Sequence, residues 1–124
     1  MSAAELRYML ATHQLGERGS GVRLTDIADR MGVTKVSVYR MSERLEVMGM
    51  MTRGAHSRIA LTEKGETLLK EYKLCIEFVS GMLEKYCKTP PNTAFYEATN
   101  IVCAVGDGSR ASLLRCLRNN ESKQ

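Results

Sequence analysis

The stretch from Thr25 to Met48 constrains this chain more than any other. Ile27, Ala28 and Met31 share one face of a segment too short to be a stable helix alone. Gly32 follows, able to take the left-handed conformation that ends a helix. Val33 fills the corner, and Thr34 opens a third helix whose stripe is Val38, Met41, Leu45 and Met48, before Gly49 stops it. A short helix, a three-residue turn and a second helix that must pack on it describe a helix-turn-helix.

The flanking sequence extends this reading. Ser2 and Glu5 have capping-box spacing ahead of a first helix carrying Leu6, Met9, Leu10 and His13 to about Leu15. Gly16, Gly19, Ser20 and Gly21 break it, Val22-Arg23-Leu24 is extended, and Thr25 caps the second helix. After Gly49, Met50–Arg53 and Arg58–Leu61 read as two strands flanking the polar tip Gly54-Ala55-His56-Ser57. Thr62 then caps a long helix, with Glu63 and Glu66 in its first turns. Its stripe, Leu68, Leu69, Tyr72, Cys75, Ile76, Val79, Leu83 and Tyr86, runs to about Lys88. Pro90-Pro91 is the one clear linker. A helix from about Thr93 carries Phe95, Ala98, Val102 and Val105, and a last short one holds Leu113, Leu114 and Leu117.

The fold class expected is therefore mainly α: an N-terminal winged helix-turn-helix with a two-stranded wing, followed by a C-terminal helical region. The domains read as 1–65 for DNA binding, 66–119 as the C-terminal helical domain and 120–124 as a frayed tail, the fraying setting in at Asn119.

Composition narrows the function. A 44% hydrophobic and 26% charged chain of 124 residues is ordinary for a globular protein. The net charge of +4 suits a polyanionic partner, and residues 1–64 hold ten Lys or Arg against seven Asp or Glu. With no tryptophan, a stacking platform for single strands is disfavoured. No apolar run of membrane-spanning length and no secretory leader occur, so a cytoplasmic protein without membrane association is expected. Cys75, Cys87, Cys103 and Cys116 form no CxxC pair and sit in apolar-periodic segments, which reads as buried free thiols. No phosphate loop or catalytic grouping is visible, and an enzyme is not expected.

The outward side of the third helix carries Lys35, Val36, Ser37, Tyr39, Arg40 and Arg44. Small residues at a helix start allow close approach to a major groove, while arginines reach bases or backbone. With Thr25 and Thr34, and with Arg53, His56, Ser57 and Arg58 from the wing as phosphate donors, these residues form the expected interface with duplex DNA. An adaptor module that binds no DNA is the alternative from another class.

Val22–Met41 and Arg58-Ile-Ala-Leu-Thr-Glu-Lys-Gly65 resemble the metal-dependent repressors of the diphtheria-toxin-repressor and manganese-transport-regulator family. The resemblance continues more weakly through Tyr72-Lys73-Leu74 and Glu97–Ile101. It implies a homodimer on a palindromic operator, with 66–119 as the C-terminal helical dimerisation region and base contacts at Thr34, Val36 and Arg40. It also implies a divalent metal such as manganese or iron, whose ligand positions fall here on Arg7, Leu10, Tyr72, Ile76, Phe95, Thr99, Val102 and Cys103. Those side chains do not make a cation site, so no cofactor is expected. The same positions could instead be plain core or a pocket for a small apolar or anionic effector. A thiol switch through the cysteines and a metal regulator with atypical ligands are further alternatives, as is another winged-helix family sensing small ligands.

Overall fold

The computed structural model describes residues 1–16 and 21–122, with the side chains of 121 and 122 left aside. Six helices and a two-stranded sheet follow one another: α1 (Ala3–Leu15), α2 (Leu24–Met31), α3 (Lys35–Val47), β1 (Met51–Arg53), β2 (Ile59–Leu61), α4 (Glu63–Cys87), α5 (Pro91–Ala104) and α6 (Asp107–Ser122). This is the mainly α winged helix-turn-helix expected from sequence. The chain divides into two compact units, Ala4–Leu69 and the remainder from Lys70 together with Met1–Ala3. The division falls inside α4 rather than at Gly65.

In the first unit, α1 is buried at every position from Tyr8 to Thr12 instead of along a single stripe. Of its expected breakers, Gly19 and Ser20 lie outside the described residues. Gly21 adopts φ +78° and Val22 pairs with Ile59 through two backbone hydrogen bonds of 2.8 Å, adding a one-residue edge to the sheet. The helix α2 begins one residue earlier than expected. Arg23 is its N-cap and no side chain caps it, so Thr25 lies within the first turn and is not the cap. Gly32 closes α2 in the left-handed region at φ 68°, its N–H reaching the carbonyls of Ala28 and Asp29. Thr34 caps α3 as its sequence suggests, its hydroxyl accepting from the Ser37 N–H at 3.1 Å.

Two expectations for the turn and α3 need correction. Val33 is exposed and does not fill the corner; it ties the turn to α2 through its backbone N–H, which donates to Ala28 O at 3.1 Å. The buried face of α3 is Val38, Ser42 and Leu45, with Met48 at the surface. The helix ends at Val47 with Met48 as its C-cap, where the interior no longer covers the side chain.

The strands pair antiparallel with Met51 opposite Leu61, Thr52 opposite Ala60 and Arg53 opposite Ile59. Arg58 lies just outside β2, and a 3-10 turn at Ala55–Ser57 forms the tip, where His56 and Ser57 both have positive φ. The start of α4 is tied to the end of α3. Thr62 donates its N–H to Met50 O at 3.0 Å and its hydroxyl to Gly49 O at 2.6 Å, while accepting from Gly65 N–H. Lys64 Nζ reaches Met48 O at 3.1 Å. Gly65 is buried there because a Cβ would lie 2.1 Å from Met50 O.

The second unit corrects several packing expectations. Tyr72, Cys75 and Ile76 are buried as expected, whereas Tyr86 is exposed. Pro91 starts α5 two residues before Thr93, since proline loses nothing in a first helical turn. The inner face of α5 is Ala94, Ala98, Thr99 and Val102, and Phe95 and Val105 are exposed. Small alanines set this face because they let helices approach closely, which apolar spacing alone does not reveal. The helix α6 has 16 residues, longer than expected, and continues past Asn119 to Ser122. None of the four cysteines forms a disulfide, but only Cys75 is buried; Cys87 and Cys116 are exposed and Cys103 is half-buried. Burial pushes the Cys75 thiol up, away from the reactive thiolate.

Candidate nucleic-acid interface

The helix α3 presents one continuous outward surface because its other side is committed to the core. Lys35, Val36, Ser37, Tyr39, Arg40 and Arg44 are all exposed. Val36 retains 60% of its surface and Tyr39 43%, which is unusual for apolar side chains that could have been buried. The N-terminus of α3 brings its free backbone N–H groups and positive dipole end to the same surface, next to Lys35. Such an end favours a phosphate. Thr34 is also exposed there, although its hydroxyl is occupied by the cap and by Ser37 Oγ at 3.0 Å. Arg44 rests on the Met41 sulfur at 3.6 Å.

The wing residues separate into two groups. His56 and Ser57 at the tip are exposed, held in left-handed conformations that turn the chain sharply. Arg53 and Arg58 are half-buried and point back to the protein. Arg58 approaches the Gly21 carbonyl at 3.5 Å. Arg53 lies over the Tyr39 ring, 4.9 Å from its centroid, donates to Ser42 Oγ at 3.1 Å, and forms an ion pair with Glu46 at 3.4 Å. Thr25 is half-buried in the first turn of α2.

Sequence reasoning missed three polar residues here. Ser42 is fully buried and Glu46 half-buried, yet both serve Arg53, which no local pattern announces. The third is Tyr8 of α1, 1% exposed, whose hydroxyl has no hydrogen-bond partner among the described residues. Burial pushes its pKa up to about 12, against the opposing pull of the Ser42 hydroxyl and the Arg53 charge. Elsewhere in this unit, His13 Nδ1 pairs with Glu66 at 3.1 Å beside a cavity of about 190 Å³ that Val22 and Ile59 also line.

The residues expected at a metal or effector site divide between the two units. Arg7 and Leu10 belong to the first, Leu10 being buried. In the second, Tyr72, Ile76, Thr99 and Val102 are buried, Cys103 is half-buried and Phe95 exposed. The donor chemistry in this second unit does not fit a divalent cation. Thr99 has given its proton to Phe95 O at 2.8 Å, and the Arg110 guanidinium stacks on Tyr72, 4.6 Å from the ring centroid. A fixed cation beside mostly apolar groups opposes a second one. Among the described residues, no three His, Cys, Asp or Glu side chains converge. No described helix is long and apolar enough to cross a membrane.

Comparison with known proteins supports the geometry. Residues 13–54, about a third of the chain, match the IclR helix-turn-helix domain. No curated protein matches. Among solved structures, the hypothetical protein SSo2273 from Sulfolobus solfataricus has a TM-score of 0.74 at 17% identity, covering 100% of this chain and 92% of its own. The metal-dependent transcriptional regulator MtsR gives 0.75 at 18% identity, over 95% of this chain and 55% of its own. The manganese regulator SloR gives 0.72 at 19%, over 92% and 53%. The chain thus spans about half the length of those two regulators. At such identities the likeness establishes architecture, and the chain has the winged helix-turn-helix fold found in transcription regulators.

Proposed function

We propose that this chain is a sequence-specific transcription regulator that binds duplex DNA with α3 in the major groove. The observation that carries this reading is the outward face of α3, where Val36, Ser37, Arg40 and Arg44 stand exposed on a helix anchored by Val38, Ser42 and Leu45. Exposed apolar and basic groups side by side suit a groove edged by thymine methyls, base acceptors and phosphates. In this reading Arg40, one turn into the helix, reads a base edge, while Lys35, the α3 N-terminus and the tip residues His56 and Ser57 meet phosphates.

The protein acts as a homodimer and a repressor in this proposal. Phe78, Met82 and Tyr86 are exposed at four-residue spacing along the C-terminal half of α4, an apolar stripe that a second copy would cover. The regulator works without a divalent-metal input, as the Arg110–Tyr72 stack and its apolar surroundings suggest.

The test is duplex selection from a randomised pool, followed by fluorescence anisotropy across a salt series. Binding that falls steeply with salt, with a preferred sequence, is the expected result. Arg40→Ala should weaken the selected duplex by about 1–3 kcal/mol and relax preference at one base position. Absence of any enriched sequence would sink the proposal, and loss of binding with a chelator, restored by manganese, would overturn its metal-free part.

A further inference from the structure

Arg53, a phosphate donor by its sequence position in the wing, is half-buried and turned towards α3. It emerges from β1 opposite Ile59 and reaches three residues of α3, Tyr39, Ser42 and Glu46. Their spacing of three and four places them on one line along two turns of that helix. We propose that Arg53 is a positioning residue for sequence selectivity. It holds the wing against α3 and the Tyr39 ring in one orientation, and is not itself a phosphate contact. This inference rests on the DNA-binding reading above.

The hydrogen-bond inventory supports a single arrangement. Ser42 has one proton, which it donates to Tyr39 O at 2.7 Å, so its Oγ can only accept, and Arg53 can only donate. The guanidinium carbon lies over the Tyr39 ring, 4.9 Å from its centroid, while Nε stands 3.4 Å from the Glu46 carboxylate. A planar group meets a ring, a hydroxyl and a carboxylate together; a lysine ammonium could satisfy one or two of them. Tyr39 remains 43% exposed, next to Val36 and Arg40 on the outward surface. A ring fixed on one side and open on the other offers a rigid edge to a base pair, and rigidity limits the entropy lost on binding. The Glu46 carboxylate also offsets the Arg53 charge, which makes this arginine a poor phosphate donor.

The experiment uses the full chain and the duplex selected above, with a scrambled duplex as reference. The selectivity ratio and the slope of log K against log salt are measured for Arg53→Ala, Arg53→Lys, Tyr39→Leu and Arg53→Lys/Tyr39→Leu. A positioning role predicts that Arg53→Lys loses selectivity about tenfold with an unchanged salt slope, and that adding Tyr39→Leu to it has little further effect. A phosphate contact predicts that Arg53→Ala lowers the slope by about one and that Arg53→Lys restores it. That result, retained selectivity in Arg53→Lys, or multiplying effects in the double variant would overturn the proposal. Should Arg53→Ala fail to fold, the Lys and Tyr39 variants still decide. Wild-type protein that selects no duplex would instead remove the DNA-binding reading itself.

Discussion

Gly65→Ala sets two physical effects against each other in one substitution. Gly65 lies in the first turns of α4, and alanine in a helix interior is favoured over glycine by about 1 kcal/mol. Propensity alone therefore forecasts a more stable protein. The structure forecasts the reverse, since the new Cβ would stand 2.1 Å from Met50 O and 3.1 Å from Met50 C. No flexible side chain can yield there, because the obstacle is backbone. Relieving the overlap costs about 1–3 kcal/mol as overpacking. Moving α4 away also loosens the Thr62 and Lys64 bonds to Met48, Gly49 and Met50, each a net contribution of about 1 kcal/mol. With the three bonds lost and less the propensity gain, the expected loss is about 3–5 kcal/mol, or a fall in Tm of roughly 12–20 °C for a chain of this size. The same helix contains its own control. Gly81 is exposed and a Cβ there meets nothing within 4 Å, so Gly81→Ala should stabilise by up to about 1 kcal/mol. Thermal melts followed by circular dichroism compare the pair. If Gly65→Ala melted at or above the wild type, the close approach of α4 to Met50 would be wrong.

Two further predictions concern single groups. Thr34→Ala removes the cap of α3 and should cost about 1 kcal/mol in urea denaturation, whereas Thr25→Ala, with no cap to lose, should cost clearly less. Tyr8 has a folded pKa of about 12 against an ordinary 10.0, so its stabilisation is complete below pH 10 and is lost as pH rises towards 12. The loss is about 2–3 kcal/mol. Urea midpoints of wild type and Tyr8→Phe measured from pH 8 to 12 should diverge in slope over that window, and parallel curves would contradict the burial of the hydroxyl.

Residues that act on near neighbours were legible in the sequence. Gly32 ends α2 and Thr34 caps α3 because a helix terminus needs a left-handed residue or a side-chain acceptor within three positions. Thr62 caps α4 on the same grounds, and the hairpin follows from apolar runs flanking a polar tip. The outward set Lys35, Val36, Ser37, Tyr39, Arg40 and Arg44 came from helical periodicity alone, and all six are exposed. What tertiary structure decided involves partners far apart in the chain. Arg53 and Arg58 look like their exposed neighbours in sequence, yet one turns to Tyr39, Ser42 and Glu46 and the other to Gly21. Ser42 stands in neither the apolar stripe nor the outward set that periodicity gives for α3, and its burial is tolerated because its proton and a lone pair are both used. On α5 the buried position is Ala94 and Phe95 is exposed, although apolar spacing favours the larger side chain. Local backbone requirements are written residue by residue, so the sequence by itself determined the order of the elements, the termini at Gly32, Thr34 and Thr62, and the outward face of α3. Which side chains a packed interior accepts depends on volume and donor–acceptor pairing across the fold, and only the tertiary structure decided that.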